Sequence, residues 1–231
     1  MGTGKAAIHS IAADVHPPTP QASRLAALCE IACLLICVEL IMWVVPVVPE
    51  MRAAYAGLAG MIIVLLVVTH LRDRPQAREL GFRFDNFLPV LGRISLRFAP
   101  FIAVILVTGL ATRSLSFGAR FYGMLLTVPL WALLQQYMLF AFVHRRLRVV
   151  LGDGQWVTLT TALLFALLHL PNPILTLACG VAGYIWAKAY ERSPNLYANA
   201  LTHTVASALI ANSLPHWLLK NMVVGLNYFY R

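Results

Sequence analysis

The chain has 231 residues, 60% hydrophobic and only 12% charged, with a net charge of +9 and a mean hydropathy of +0.74. A water-soluble domain is nearer half apolar and about a quarter charged, so an ordinary soluble fold is excluded. The positive balance does not indicate a nucleic-acid partner, because the basic residues lie in short segments between apolar blocks and are not interleaved with aromatics.

The apolar residues fall in blocks of about 17 to 25, the length that crosses hydrocarbon as helix. The expected fold class is all-α: a polytopic transmembrane helical bundle of about seven or eight helices. Residues 1–23, polar and carrying Pro17, Pro18 and Pro20, are expected as a flexible tail, and residues 24–231 as a single integral membrane domain. The first span, residues 25–48, is too long for a signal-peptide core and should end near Pro46 and Pro49. Within it Cys29, Cys33 and Cys37 share one helix face. They read as small packing residues, since Cys-only metal ligation usually takes four thiolates. No metal or cofactor is expected.

A second span covers residues 54–71. The basic connector RDRPQARELGFRFDNFLPVLGR follows, expected to be partly an interfacial helix, and leads to a third span at residues 96–111. The fourth, residues 121–143, carries Gln135 and Gln136 side by side, and Arg145, Arg146 and Arg148 are expected to halt it. The fifth, residues 157–170, breaks at Pro171 and Pro173. Gly180 and Gly183 in the sixth, residues 174–190, allow close helix approach. The seventh is residues 196–214, and the tail from Pro215 either lies at the interface or forms a short eighth span. With the N-terminus inside, thirteen of the 18 Lys and Arg fall in inner segments and five in outer ones. That imbalance orients the N-terminus to the cytoplasm of a cell membrane.

This topology brings polar groups to a shared depth. Gln135 and His203 each lie roughly 13 Å from the inner interface and His169 about 20 Å from it. Polar side chains at such depth mark a site by default, although an amide can also serve as interhelical glue. Asn199 and Ser207 lie one turn either side of His203 on its helix face.

These residues carry a resemblance. FALLH, ending at His169, resembles the F-x-x-x-H motif of the CPBP family, the type II CAAX prenyl endopeptidases and their bacterial Abi relatives. GVAGYIWAKAYERSPNLYANALTH, ending at His203, is similar to that family's third motif, with a polar side chain four residues beyond the His. The order fits, with 33 residues from Gln136 to His169 and 34 onward to His203. The resemblance covers roughly residues 75–215.

The resemblance implies a membrane-embedded endopeptidase that hydrolyses a membrane-associated peptide or protein substrate with an activated water, in contact with the lipid bilayer. Gln135 and His169 would take the water-activating positions, and His203 with Ser207 the oxyanion positions. The chain departs at the first motif. The family's Glu-Glu-x-x-x-Arg is replaced by Gln135-Gln136 followed by Phe140. An amide has no useful basicity. The second Glu and the Arg stand i, i+4, as an ion pair would, and both are absent. Losing both is coherent, because a lone guanidinium in hydrocarbon is expensive. Among other carboxylates, Glu30 and Glu39 lie inside the first span but half a turn out of phase, so at most one can face a cavity. The alternative is an inactive relative that binds a peptide, lipid or partner membrane protein in the same cavity. A transporter has less support, for want of an inverted repeat.

Overall fold

The computed structural model describes residues 20–47 and 52–230. The tail expected at residues 1–23 lies mostly outside the described residues, and helix α1 already begins within it. The elements are α1 (Pro20–Trp43), α2 (Arg52–Asp73), α3 (Phe87–Ala111), α4 (Ala119–Gln136), a π-helical segment (Tyr137–His144), α5 (Arg145–Leu151), α6 (Gln155–Leu167), α7 (Pro173–Arg192), α8 (Leu196–Ser213) and a single-turn α9 (His216–Leu219). No strand occurs among the described residues.

Among the described residues four stretches are long and apolar enough to cross a membrane: Ser23–Trp43, Ala53–Asp73, Phe87–Ala111 and Ala119–Leu151. The remaining helices owe their polar residues to enclosure. Thirteen of the 18 residues of α8 are buried, between α3 and α4, while α7 packs on α6. Small side chains make these approaches possible. A Cβ on Gly183 would lie 3.2 Å from the Cα of Ala162, so glycine there sets the α6–α7 distance. The main core cluster joins Phe98, Phe140, Phe165, Trp186, Tyr190 and Leu196 across five elements.

Two expectations are corrected, and one left open is decided. The connector is not an interfacial helix: residues 74–86 are turns and coil, and residues 87–93 form the first turns of α3. Pro75 and Gly81 (φ +92°) disfavour helix there, and tertiary bonds fix the loop instead. Leu196 N–H donates to Gly81 O at 2.9 Å, Tyr190 Oη to Leu80 O at 3.0 Å and Asn195 Nδ2 to Arg83 O at 2.8 Å.

The arginines after the fourth span do not halt it. The helix runs on as α5 until Gly152, at φ +78°. Arg146 is tolerated because its charge is paired: Nε donates to Glu30 at 2.5 Å and Nη2 to Asp73 at 3.4 Å, with the guanidinium 3.6 Å over the Phe142 ring. Of the two alternatives for the tail, the described residues form no eighth span. After α9 it continues as two short 3-10 turns, Lys220–Met222 and Gly225–Phe229.

Candidate functional site

Each polar residue is delivered by a different local device. Gln136 is the last residue of α4, just before the chain widens into the π-helical segment. Such π insertions concentrate at functional sites. His169 lies in the turns that close α6 before Pro171, where His169 N–H bonds Ala166 O at 2.9 Å. Asn172 then starts α7, its Oδ1 accepting from Leu175 N–H at 3.1 Å. His203 sits mid-way along α8, 8% exposed, with Asn195 capping that helix.

The ring nitrogens of the two histidines are held in complementary states. His169 Nδ1 lies 2.7 Å from the Phe165 carbonyl oxygen. A carbonyl only accepts, so Nδ1 carries the proton and Nε2 of the neutral ring keeps its lone pair. His203 is the reverse. The Gln136 amide, fully buried, donates to His203 Nδ1 at 3.1 Å, which leaves the proton on Nε2. His169 Nε2 is thereby able to accept a hydrogen bond and His203 Nε2 to donate one.

Aromatic side chains fix both rings. Phe165 meets His169 edge-on with centroids 4.8 Å apart. Trp186 lies 4.9 Å from the His203 ring and is itself anchored by Nε1 donating to Thr202 Oγ1 at 2.9 Å. His169, His203 and Ser207 line one cavity of about 40 Å3, together with Cys179 and Met222 and walls from Phe101, Leu175 and Ile210. That is room for about one water molecule. A second, more polar cleft of about 280 Å3 opens beside Arg120, Asn212 and His216, and contains neither catalytic candidate.

Of the five residues expected at the site, three therefore share the cavity. Gln136 stands behind His203 and reaches the cavity only through it. Gln135, half-buried, is not part of the lining, so the structure does not bring it into the cavity with His169. Phe140 is fully buried and stacked on Tyr190 at 5.3 Å. Residues 136 and 140 thus face different partners, α8 and α7 respectively. Glu30 is committed to Arg72 and Arg146, and Glu39 is absent from the lining.

Asn199, expected on the His203 face, is fully buried, and among the described residues both its side-chain polar atoms lack a hydrogen-bond partner, as does Gln136 Oε1. Sequence reasoning missed other neighbours. Trp186 was legible as the one indole inside the Gly-x-x-Gly helix. Met222 carried no signal, since its approach depends on how the C-terminal tail folds back.

A family model described as Rce1-like, type II CAAX prenyl endopeptidase Rce1-like, matches residues 24–209. The match starts at α1 and so extends well N-terminal of the stretch expected from the motifs. Comparison with curated proteins and with solved structures gives no match.

Proposed function

The chain belongs to the type II CAAX prenyl endopeptidase Rce1-like family, and on that premise we propose that it hydrolyses a peptide bond of a membrane-associated substrate with an activated water. The observation that carries this reading is the complementary protonation of His169 and His203 on one water-sized cavity. His169 Nε2 takes a proton from the water, and the resulting hydroxide attacks the scissile carbonyl carbon. His203 Nε2–H and the Ser207 hydroxyl donate to the oxyanion. His169 then returns its proton to the leaving amine as the C–N bond breaks. Gln136 touches no reacting atom in this scheme; it is a positioning residue that holds the tautomer of His203.

Basic segments around residues 72–86, 145–148 and 188–192 gather at one end of the bundle, linked by Arg146–Glu30–Arg72 and Asn195–Arg83. Their charge supports a cytoplasmic N-terminus in a cell membrane.

The test uses purified full-length protein in liposomes and fluorogenic peptides ending in a CAAX sequence, with and without a prenyl group. Cleavage should fall about 10²- to 10⁴-fold in His169→Ala, with thermal stability retained. Unchanged cleavage in that variant overturns the histidine-base mechanism. A second reading, peptide binding without hydrolysis, is favoured by one fact: among the described residues no carboxylate lines the cavity. It predicts that the same peptides bind and remain intact.

A further inference from the structure

The chain's own C-terminal segment contributes to the wall of the cavity beside the two histidines. Residues 215–225 place Met222 in the cavity wall with Leu175 and Ile210, packed against the cluster of Ala178, Ile210 and Leu219. Two ties hold this strap to the turn that follows His169. Asn172 Nδ2, fully buried, donates to Leu219 O at 2.8 Å and to Val223 O at 3.3 Å. Gly225 N–H donates to Leu170 O at 2.8 Å.

The backbone that presents Met222 is unusual. Lys220, Asn221 and Met222 all have positive φ, at 44°, 53° and 62°. L-residues avoid that region, and only asparagine of the three visits it readily. Non-glycine residues persist there only where their surroundings over-determine them, and such strain concentrates at clamps and switches. Here the surroundings include the two ties, the buried Leu219, the packing of Gly225 against Met42 and the seating of Met222. With the strap in place the remaining space fits about one water molecule and no peptide.

We propose that Met222 occupies the subsite for an apolar, unbranched side chain of the incoming peptide, and that the strap withdraws to admit it. The walls fit such a group: Phe101, Leu175, Ala178, Ala182 and Ile210 are apolar, and the polar groups are confined to the histidine side. The identity of the ligand as a peptide rests on the proposed function; the withdrawal of the strap does not.

Cys179 lines the same cavity and serves as the reporter. With Cys29, Cys33 and Cys37 replaced by alanine in the full chain, the rate of Cys179 labelling by N-ethylmaleimide reads the opening. Asn172→Ser keeps a capping oxygen for α7 but cannot reach Leu219 O and Val223 O, and Asn172 is not itself part of the cavity wall. It should label on the order of tenfold faster, as expected for two lost hydrogen bonds. Lys220→Gly relieves the strained φ of the closed strap and should label severalfold slower.

Equal rates in the parent and both variants would show the strap to be a fixed wall and overturn the proposal. N-acetyl-methionine amide should protect Cys179 in the Asn172→Ser background, and N-acetyl-aspartate amide should not. Faster labelling without selective protection overturns the subsite assignment. Cleavage plays no part in these readings, so a failure of hydrolysis bears on the proposed function alone.

Discussion

The hydrogen bond between Gln136 and His203 is the contact on which the proposed donor role of His203 depends, and its worth can be measured. Gln136 is fully buried and His203 8% exposed, so neither group recovers water when the other is removed. Replacing Gln136 by Leu leaves His203 Nδ1 buried without a partner, a loss of about 1–3 kcal/mol. Part of this is offset, because the Gln136 Oε1 atom already lacks a partner and the substitution removes it. The net cost should sit near the lower bound, about 1 kcal/mol. For a chain of this size that lowers Tm by about 2–4 °C. Gln136→Leu, His203→Leu and the double variant form the cycle, read by thermal unfolding in detergent. A coupling of about 1 kcal/mol is expected, since the 3.1 Å bond is the polar contact shared by the two side chains. The catalytic counterpart is a fall in kcat with little change in KM, because the ring's tautomer is no longer fixed. Coupling below about 0.3 kcal/mol, the usual error of additivity, would refute the reasoning.

Orientation is tested by single cysteines at the two ends of the bundle. In a background without native cysteines, Ser116→Cys should react with an impermeant reagent from outside, and Gln155→Cys only after permeabilisation; the reverse pattern overturns the cytoplasmic N-terminus. The loop at residues 74–86 should be acid-sensitive. The hydrogen bond from Arg83, with Arg78 nearby, holds the Asp85 carboxyl below its ordinary value. A depressed carboxylate contributes stability above its unfolded pKa and loses it as pH falls through the folded value. Hydrogen exchange at Leu196 N–H, bonded to Gly81 O, should therefore quicken relative to its intrinsic rate below about pH 4, and Asp85→Asn should remove the pH dependence.

The spans were legible because a continuous apolar block has few alternatives in lipid. Their ends were not, wherever charge was compatible with helix. Arg93 looks like part of a loop, yet its Nε bonds Pro89 O on the exposed face of α3. Arg146 looks like a stop, yet it is paired in three dimensions with Glu30, 116 residues away in sequence. The cavity divides in the same way. That His169, His203 and Ser207 would share its lining could be read from motif and depth, since helix geometry carries each to its level. Gln135 and Gln136 could not be told apart. Adjacent residues point about 100° apart on a helix, and which one meets α8 depends on how the helices are rotated against each other. The strap is a long-range contact of a segment with no periodic signal, so no sequence pattern could have placed Met222.

The first-motif register yields the sharpest remaining prediction, and it concerns residues 136 and 140. If these were positions of an ion pair, Gln136→Glu combined with Phe140→Arg would rebuild it and recover stability lost in Phe140→Arg. The contacts argue otherwise. Gln136 is turned to His203 on α8, whereas Phe140 stacks on Tyr190 of α7 and lies 6.1 Å from the His144 ring. The π-helical segment that begins at Tyr137 also replaces the i, i+4 ladder by i, i+5 spacing, which moves residue 140 out of the register assumed for a pair. Phe140→Arg alone should cost at least about 3–5 kcal/mol, the price of deleting a buried aromatic, with an unpaired buried charge added. Gln136→Glu should not offset it. Thermal unfolding of the two single variants and the double should therefore give losses that add within about 0.5 kcal/mol. A recovery of 1.5 kcal/mol or more in the double variant would mean that the two side chains meet, and that Gln136 leaves His203 to do so. The donor state assigned to His203 would then lose its support.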